Sequence, residues 1–398
     1  MKFSVLLENV TKTYGEKNNE VPELLYWLGL SQTYLRNHEA ALESFHKGLK
    51  INKDLYGEKN PKDSKFHLGI GKMYEQRSQL EEALAYYTKA KDSCLSHNFS
   101  YEDLMNCWLC IGNVQTSLGR FEEAKQALSN SLELTIQAYG EKNIHVANIY
   151  LSIGNLHKSQ GQFQKALIHF ITAMDLIKDQ PVNLHFLSIC FNLIGDCYMK
   201  LGAYKDSLEM FQRALKVTIQ CFGQNHYEVG FGKIGIGMAL HRLNQYEEAI
   251  QSLETGIKLI KNTAGGLQPD VANAYTELGS IKRAQGRWNE ARDYYQKTLD
   301  INYQIYGDNH PTIAFSLYHL GSLCINMKEF DNAEKYLEHA LKLFLKFHGE
   351  NFPNTAYCLD HLGTVNNNKQ NFEEADQEGL HVLSSLHRIV EVNTVSDR

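Results

Sequence analysis

Two short stretches of this 398-residue sequence spell possible chemistry. Gly230-Phe231-Gly232-Lys233-Ile234-Gly235 has the glycine spacing of a dinucleotide phosphate loop. In such a loop a strand leads in, and the following helix N-terminus holds the pyrophosphate. Cys107-Trp108-Leu109-Cys110 is a Cys-x-x-Cys pair, and Cys190 and Cys197 lie two helical turns apart. A zinc site needs four converging ligands, and the sequence has no second Cys-x-x-Cys or His pair nearby. The 17 histidines include no His-Glu-x-x-His, no phosphate-binding lysine loop occurs, and no Cys sits in a nucleophile pattern. Asn98-Phe99-Ser100 has the spelling of a glycosylation sequon. These residues point to no catalytic centre, cofactor or metal, so the elements that carry them decide how they are read.

Those elements repeat. A glycine recurs at 29, 71, 112, 154, 195, 237, 279, 321 and 363, in steps of 41 or 42 residues. One residue before it stands only Leu or Ile, and twelve residues after it stands Ala, or once Ser207. Three positions held in register nine times define a repeat array. Such a core grows linearly and does not split into domains as a globule of this length would.

Each unit reads as two antiparallel helices. Positions −4, −1 and +3 from the glycine form one face of the first helix, for example Trp108, Ile111 and Gln115. The glycine removes a Cβ where the paired helix must approach, against a helix-propensity cost of about 1 kcal/mol. The second helix opens on a bulky residue at +9, such as Phe121 or Trp288, often followed by acidic residues that suit the positive end of its dipole. It carries bulk at +16 (Phe45, Tyr87, Leu128, Phe170, Phe211, Leu253, Tyr295, Leu337) and a small residue at +19. Bulk beside a small residue on one face predicts a fixed nesting of adjacent units. Gly379 and Val382 break both runs in the ninth unit. Gly230, Gly232, Gly235 and Gly237 fall on one first helix, which predicts a locally soft unit that acts as a hinge.

Trp108-Leu109-Cys110-Ile111-Gly112 followed by Ala124 and Leu128 resembles the tetratricopeptide signature. Tyr306-Gly307-Asp308-Asn309-His310-Pro311-Thr312-Ile313-Ala314 is similar to the linker of kinesin-light-chain-type repeats, also found in nephrocystin-3-like proteins. In such a linker Gly supplies a left-handed residue after the helix, and Pro61, Pro311 and Pro353 open the next helix. The resemblance implies an all-α, right-handed superhelix of about nine helix pairs. The expected pairs are 22–55, 64–97, 105–138, 147–180, 188–221, 230–263, 272–305, 314–347 and 356–389. An N-terminal helix at 1–14, either a cap or part of a further repeat, precedes them, and a polar tail at 393–398 follows. The linkers at 97–100 and 178–181 depart from the pattern, which predicts a local change of pitch.

The resemblance also implies where a partner would lie. In tetratricopeptide arrays the first helices form the inner wall, with solvent-facing positions near −6, −3, +1, +4 and +5. Offsets −6 and +1 are two turns apart on one face. They hold Asn106 and Asn113 in unit three, and Asn148 and Asn155 in unit four. Asn192 and Asp196 continue the row in unit five, and Thr116, Lys158, His241, Arg242 and Arg283 lie at +4 or +5. An amide both donates and accepts, so a ladder of them can clamp an extended backbone without reading its side chains. Tyr26, Leu30, Tyr34 and Leu68 make the wall more apolar at units one and two. Asn occurs at −3 only once, at Asn192, whereas kinesin light chains carry it in several repeats.

Composition excludes several classes. The net charge of −6 is not that of a nucleic-acid binder, and no run approaches the length of a transmembrane helix. Glu8 falls too early for a signal peptide, and eight cysteines without a framework suit a reducing compartment. The sequence thus predicts a cytoplasmic, non-catalytic scaffold that binds a protein or peptide in its groove. The resemblance implies a cytoskeletal or ciliary setting, and the competing reading is a structural subunit docked by its outer face.

Overall fold

The computed structural model describes residues 18–368 except 36, 58–59, 97–100, 179–183 and 351, together with residues 6, 8, 10–13 and 15. The second helix of the ninth unit, the tail at 393–398, most of both divergent linkers and the sequon lie outside the described residues. Among the described residues every regular element is helical. The chain divides into two compact units, Met1–Leu201 and Gly202–Arg398.

In the first unit α1 (Glu20–Tyr34) pairs with α2 (His38–Tyr56), and a short 3-10 turn, Pro61–Asp63, leads to α3 (Ser64–Gln76) and α4 (Leu80–Ser96). The pairs α5 (Tyr101–Ser117) with α6 (Phe121–Tyr139) and α7 (Ile144–Ser159) with α8 (Phe163–Ile177) follow, and then α9 (Leu184–Lys200). The second unit opens with α10 (Tyr204–Phe222). It continues with α11 (Tyr227–Arg242) on α12 (Tyr246–Ala264), and α13 (Pro269–Ala284) on α14 (Trp288–Tyr306). The last are α15 (Pro311–Asn326) on α16 (Phe330–His348), and α17 (Pro353–Asn368). Ahead of α1, helical residues 10–13 place Val10 against Val21, Leu25 and Ile51 of the first pair.

The recurring glycine is a packing site. A Cβ on Gly29, Gly112, Gly237, Gly279 or Gly321 would lie 2.5 to 2.7 Å from the +16 side chain of the same pair. Gly71 meets Tyr87 and Gly154 meets Phe170 in the same way. Each of these seven knobs therefore sits against its own glycine, and Phe45 also reaches Gly69 of the next pair. Two +19 side chains bond within their own pair: Ser131 donates to the Met105 carbonyl at 3.0 Å and Thr298 to the Ala272 carbonyl at 3.1 Å. Gly48, which faces Phe66 of the next pair, follows the expected nesting between units.

Helix α11 corrects the hinge expectation. A Cβ on Gly230 would lie 2.9 Å from the Gly256 carbonyl, and one on Gly256 would lie 2.7 Å from the Gly230 carbonyl. Gly232 faces Leu215 and Gly235 faces Phe211, both at 3.1 Å. All four glycines are spent on close helix approach, which fixes α11 between its neighbours. The dinucleotide-like spelling lies inside this helix, without the leading strand that a phosphate loop requires.

The linkers cap as well as connect. Gly307 and Gly349 take the left-handed conformation, with φ of 73° and 78°. The Thr312 N–H donates to His310 Nδ1 and the Glu228 N–H to His226 Nδ1, both at 3.3 Å. His310 stacks on Tyr306 and His226 on Phe222, so each imidazole caps one helix while packing on the end of the previous one.

Candidate functional site

The first helices of consecutive pairs touch: α1 meets α3, α3 meets α5 and α5 meets α7 in the first unit, and α11 meets α13 and α15 meets α17 in the second. They form a wall within each unit. Two polar links show the register. Lys158 Nζ lies 3.2 Å from Asp196 Oδ2, and Arg283 Nη1 donates to Ser322 Oγ at 3.1 Å. In both cases position +4 of one first helix meets +1 of the next.

In the first unit α5 and α7 hold Asn106, Asn148 and Asn155 exposed and Asn113 half-buried, and α9 holds Asn192 half-buried. None of these five side-chain amides makes a hydrogen bond to protein among the described residues. Asparagines with structural work are engaged: Asn52 donates to Asp63 at 3.1 Å and Asn302 to Ser316 at 2.9 Å. Lys158 and Asp196 satisfy one another at the edge of the ladder. Thr116 corrects the expectation that it faces solvent: it is buried, and its hydroxyl donates to the Gly112 carbonyl at 2.8 Å.

At the start of the array Tyr26 and Leu68 turn into the core, Tyr26 packing edge-on against Phe66. Leu30 and Tyr34 remain on the wall. With Thr33, Lys72, Glu75 and Gln76 they line an open pocket of about 380 Å³, and Tyr34 is 80% exposed.

The second unit uses its basic residues internally. Glu277 of α13 is buried and receives His241 Nδ1 at 2.5 Å and both Arg242 Nη atoms at 3.0 and 3.3 Å. Burial alone would raise this carboxyl; the His241 hydrogen bond and the charges of Arg242, His241 and His319 outweigh it and hold it below the usual range. His241 and Arg242 are thus joined to Glu277 and link α11 to α13. Arg283 reaches Ser322 instead. Sequence reasoning passed over position −2, where Glu277, His319 and His361 recur in three successive units. Tyr295 stacks on His319 and Tyr318 on His361, each with centroids 5.3 Å apart. Burial, then the Arg283 charge, pushes His319 down to about 4, against the opposing pull of Glu277.

Six of the eight cysteines are buried, and Cys110 and Cys221 are half-buried. Cys107 packs with Cys94 and Ile111, and Cys190 is buried, its thiol pushed up to about 12 by desolvation. A neutral thiol in apolar surroundings is a poor nucleophile and metal ligand. Among the described residues no three His, Cys, Asp or Glu side chains converge as a metal cluster, and no helix is long and apolar enough to cross a membrane.

Residues 103–179, 188–262, 270–325 and 312–384 match one tetratricopeptide-repeat family, and residues 26–94 match a second of the same description. The chain belongs to the tetratricopeptide-repeat family. Among curated proteins this tetratricopeptide chain is similar to Protein KINESIN LIGHT CHAIN-RELATED 3 of Arabidopsis thaliana, 23% identical over 56% of this chain and 35% of the relative. It spans about a third of that relative's length. Among solved structures the tetratricopeptide-sensor STAND ATPase of Pyrococcus horikoshii aligns at a TM-score of 0.60 and 15% identity, covering 95% of this chain and 54% of the other. BtubC (BKLC) of P. vanneervenii aligns at 0.50 and 17%, covering 58% and 91% respectively. These structural likenesses establish the solenoid fold.

Proposed function

We propose that the chain is a non-catalytic adaptor that holds an extended or short helical peptide along its first-helix wall. The observation that carries this reading is the set of five unspent amides at Asn106, Asn113, Asn148, Asn155 and Asn192. Each can donate twice and accept, which matches the alternating groups of a peptide backbone. Beneath four of them, α5 and α7 are fixed by buried knobs on Gly112 and Gly154, so the ordering cost of binding falls on the peptide. The likeness to a kinesin light chain-related protein supports a cytoplasmic, cytoskeletal setting.

A second reading, docking through second helices as a subunit of a cytoskeletal or ciliary assembly, has one observation behind it. Ile168 and Ile171, one turn apart on α8, are 62% and 36% exposed. The two readings separate on an array of immobilised twelve-residue peptides probed with the full chain. Replacing Asn113, Asn155 and Asn192 together by Ala removes three amides that make no hydrogen bond to protein among the described residues. Peptide retention falls at least tenfold under the wall reading, at about 0.5–1.5 kcal/mol for each lost hydrogen bond. Unchanged retention, with helicity intact, overturns it.

A further inference from the structure

We propose that Cys94 of α4 and Cys107 of α5 form a modification site, which hydrogen peroxide joins in a reversible disulfide that clasps the second helix pair to the third. The site stands apart from the peptide wall, and its test needs no peptide.

Both residues are buried in one apolar cluster, Cys94 at 1% exposure and Cys107 at 0%. They occupy +23 of one unit and −5 of the next, counted from Gly71 and Gly112. The same two positions further along the array hold Asn302 and Ser316, whose side chains hydrogen-bond at 2.9 Å. This register is therefore a joint at which side chains of adjacent units meet. Between units two and three the groups that meet are thiols: Cys107 donates a hydrogen bond to the Cys94 sulfur. Rotation about each Cα–Cβ bond closes the remaining gap to a covalent bond. In no other unit do both positions hold cysteine. Cys190 and Cys197 stand seven residues apart on α9, about 10 Å along its axis. Cys110 turns to the Tyr87 hydroxyl, and Cys358 donates to the Leu337 carbonyl at 3.1 Å.

The surroundings give the two sulfurs different roles. The Cys107 hydrogen bond outweighs burial and, with a second from Ser64, holds the Cys94 thiol below its ordinary range, while Asp103 opposes. Ser64 opens α3, is itself buried, and lies 3.4 Å from Asp103 Oδ2. The same hydrogen bond and burial raise Cys107, which keeps its proton. A lowered thiol with a neutral thiol against it is an attacking cysteine beside its resolving partner. The Cys94 thiolate attacks one peroxide oxygen and the O–O bond breaks. The products are a sulfenic acid and a hydroxide, which takes up the proton that Cys94 gave up. The Cys107 sulfur then attacks the Cys94 sulfur, and the hydroxyl leaves as water with the Cys107 proton. The two cysteines lose two electrons, and the peroxide that gains them becomes two waters. Full burial of the pair admits an oxidant of this size and excludes a bulky disulfide. The new bond encloses residues 95–106, across the divergent linker at 97–100.

The test treats the full chain with hydrogen peroxide, quenches with catalase, and counts thiols in urea. The eight thiols of the wild type are expected to fall by two, to six, and dithiothreitol restores them. Chymotrypsin cuts after Phe99 and Trp108 and so separates Cys94, Cys107 and Cys110. Without reductant, the Cys94 fragment should remain joined to the Cys107 fragment. This mapping is made on the wild type, so it stands whether or not a serine variant folds. Cys110→Ser should lose two thiols as the wild type does, whereas Cys94→Ser and Cys107→Ser lose none. Eight thiols that survive peroxide, or a bridge that maps to any other pair, overturn the site. The oxidised wild type should also unfold at a higher urea concentration than the reduced chain; equal midpoints overturn the clasp.

Discussion

Replacing Glu277 should weaken the second unit in a way that depends on pH. The carboxylate is 8% exposed and receives hydrogen bonds from His241 and from both arms of Arg242. Breaking a fully buried ion pair costs about 3–5 kcal/mol. Here the Arg242 side chain is 40% exposed and can turn into water, whereas His241, at 11%, cannot. A loss of about 2–3 kcal/mol for Glu277→Ala follows. Glu277→Gln keeps the shape and removes only the charge. The folded-state carboxyl lies below its unfolded value, so its contribution is complete above the unfolded pKa and is lost as pH falls through the folded one. The gap between wild type and Glu277→Gln should therefore be largest at pH 5 to 7 and shrink below about pH 4.5. Urea unfolding followed by far-ultraviolet circular dichroism at each pH measures it. A cost under about 0.5 kcal/mol for Glu277→Ala, the range of an ordinary surface change, would mean that the buried pair does not stabilise the unit. A gap that ignores pH would mean the same.

Gly321→Ala places a methyl 2.7 Å from Leu337 and 3.4 Å from the Ala333 carbonyl. Overpacking costs about 1–3 kcal/mol and helix propensity returns about 1, so a net loss of about 1 kcal/mol is expected in the wild-type background. In a Leu337→Ala background the same change should become stabilising; an equal loss in both backgrounds would show that the glycine is not there for packing. His319, lowered from 6.5 to about 4, is more basic when unfolded. Its contribution is complete above about pH 6.5 and falls by about 3 kcal/mol as pH drops to 4, and His319→Asn should remove that part of the acid sensitivity. Urea midpoints at pH 7, 5.5 and 4 compare the two chains; parallel curves would count against a buried neutral imidazole.

The fold was legible because a single geometric need, a glycine under a knob, recurs at a fixed interval. The offsets showed that a paired helix closes on the glycine, but that Tyr295 fills Gly279 and Leu337 fills Gly321 took the structure. The glycines of α11 misled, because composition does not reveal whether a missing Cβ leaves freedom or lets a neighbour in. At Gly230 and Gly256 it lets a backbone in. Of the candidate site, the asparagine positions followed from helical periodicity, but the fate of the basic residues did not. His241 and Arg242 stand 36 and 35 residues before Glu277, and only the contact between successive first helices brings them together. The structure sets that register: +4 and +5 of one unit lie beside −2 to +1 of the next. Thr116 was missed because a hydroxyl can return to its own helix at Gly112, which no spacing rule reports.

The most direct measurement is photo-crosslinking from two positions of the same helix pair. A photoreactive residue at Asn155 lies on the first-helix wall, and one at Ile168 lies exposed on the second helix. With a peptide retained by the array, labelling is expected from position 155 and none from 168. Labelling from 168 with none from 155 would contradict it.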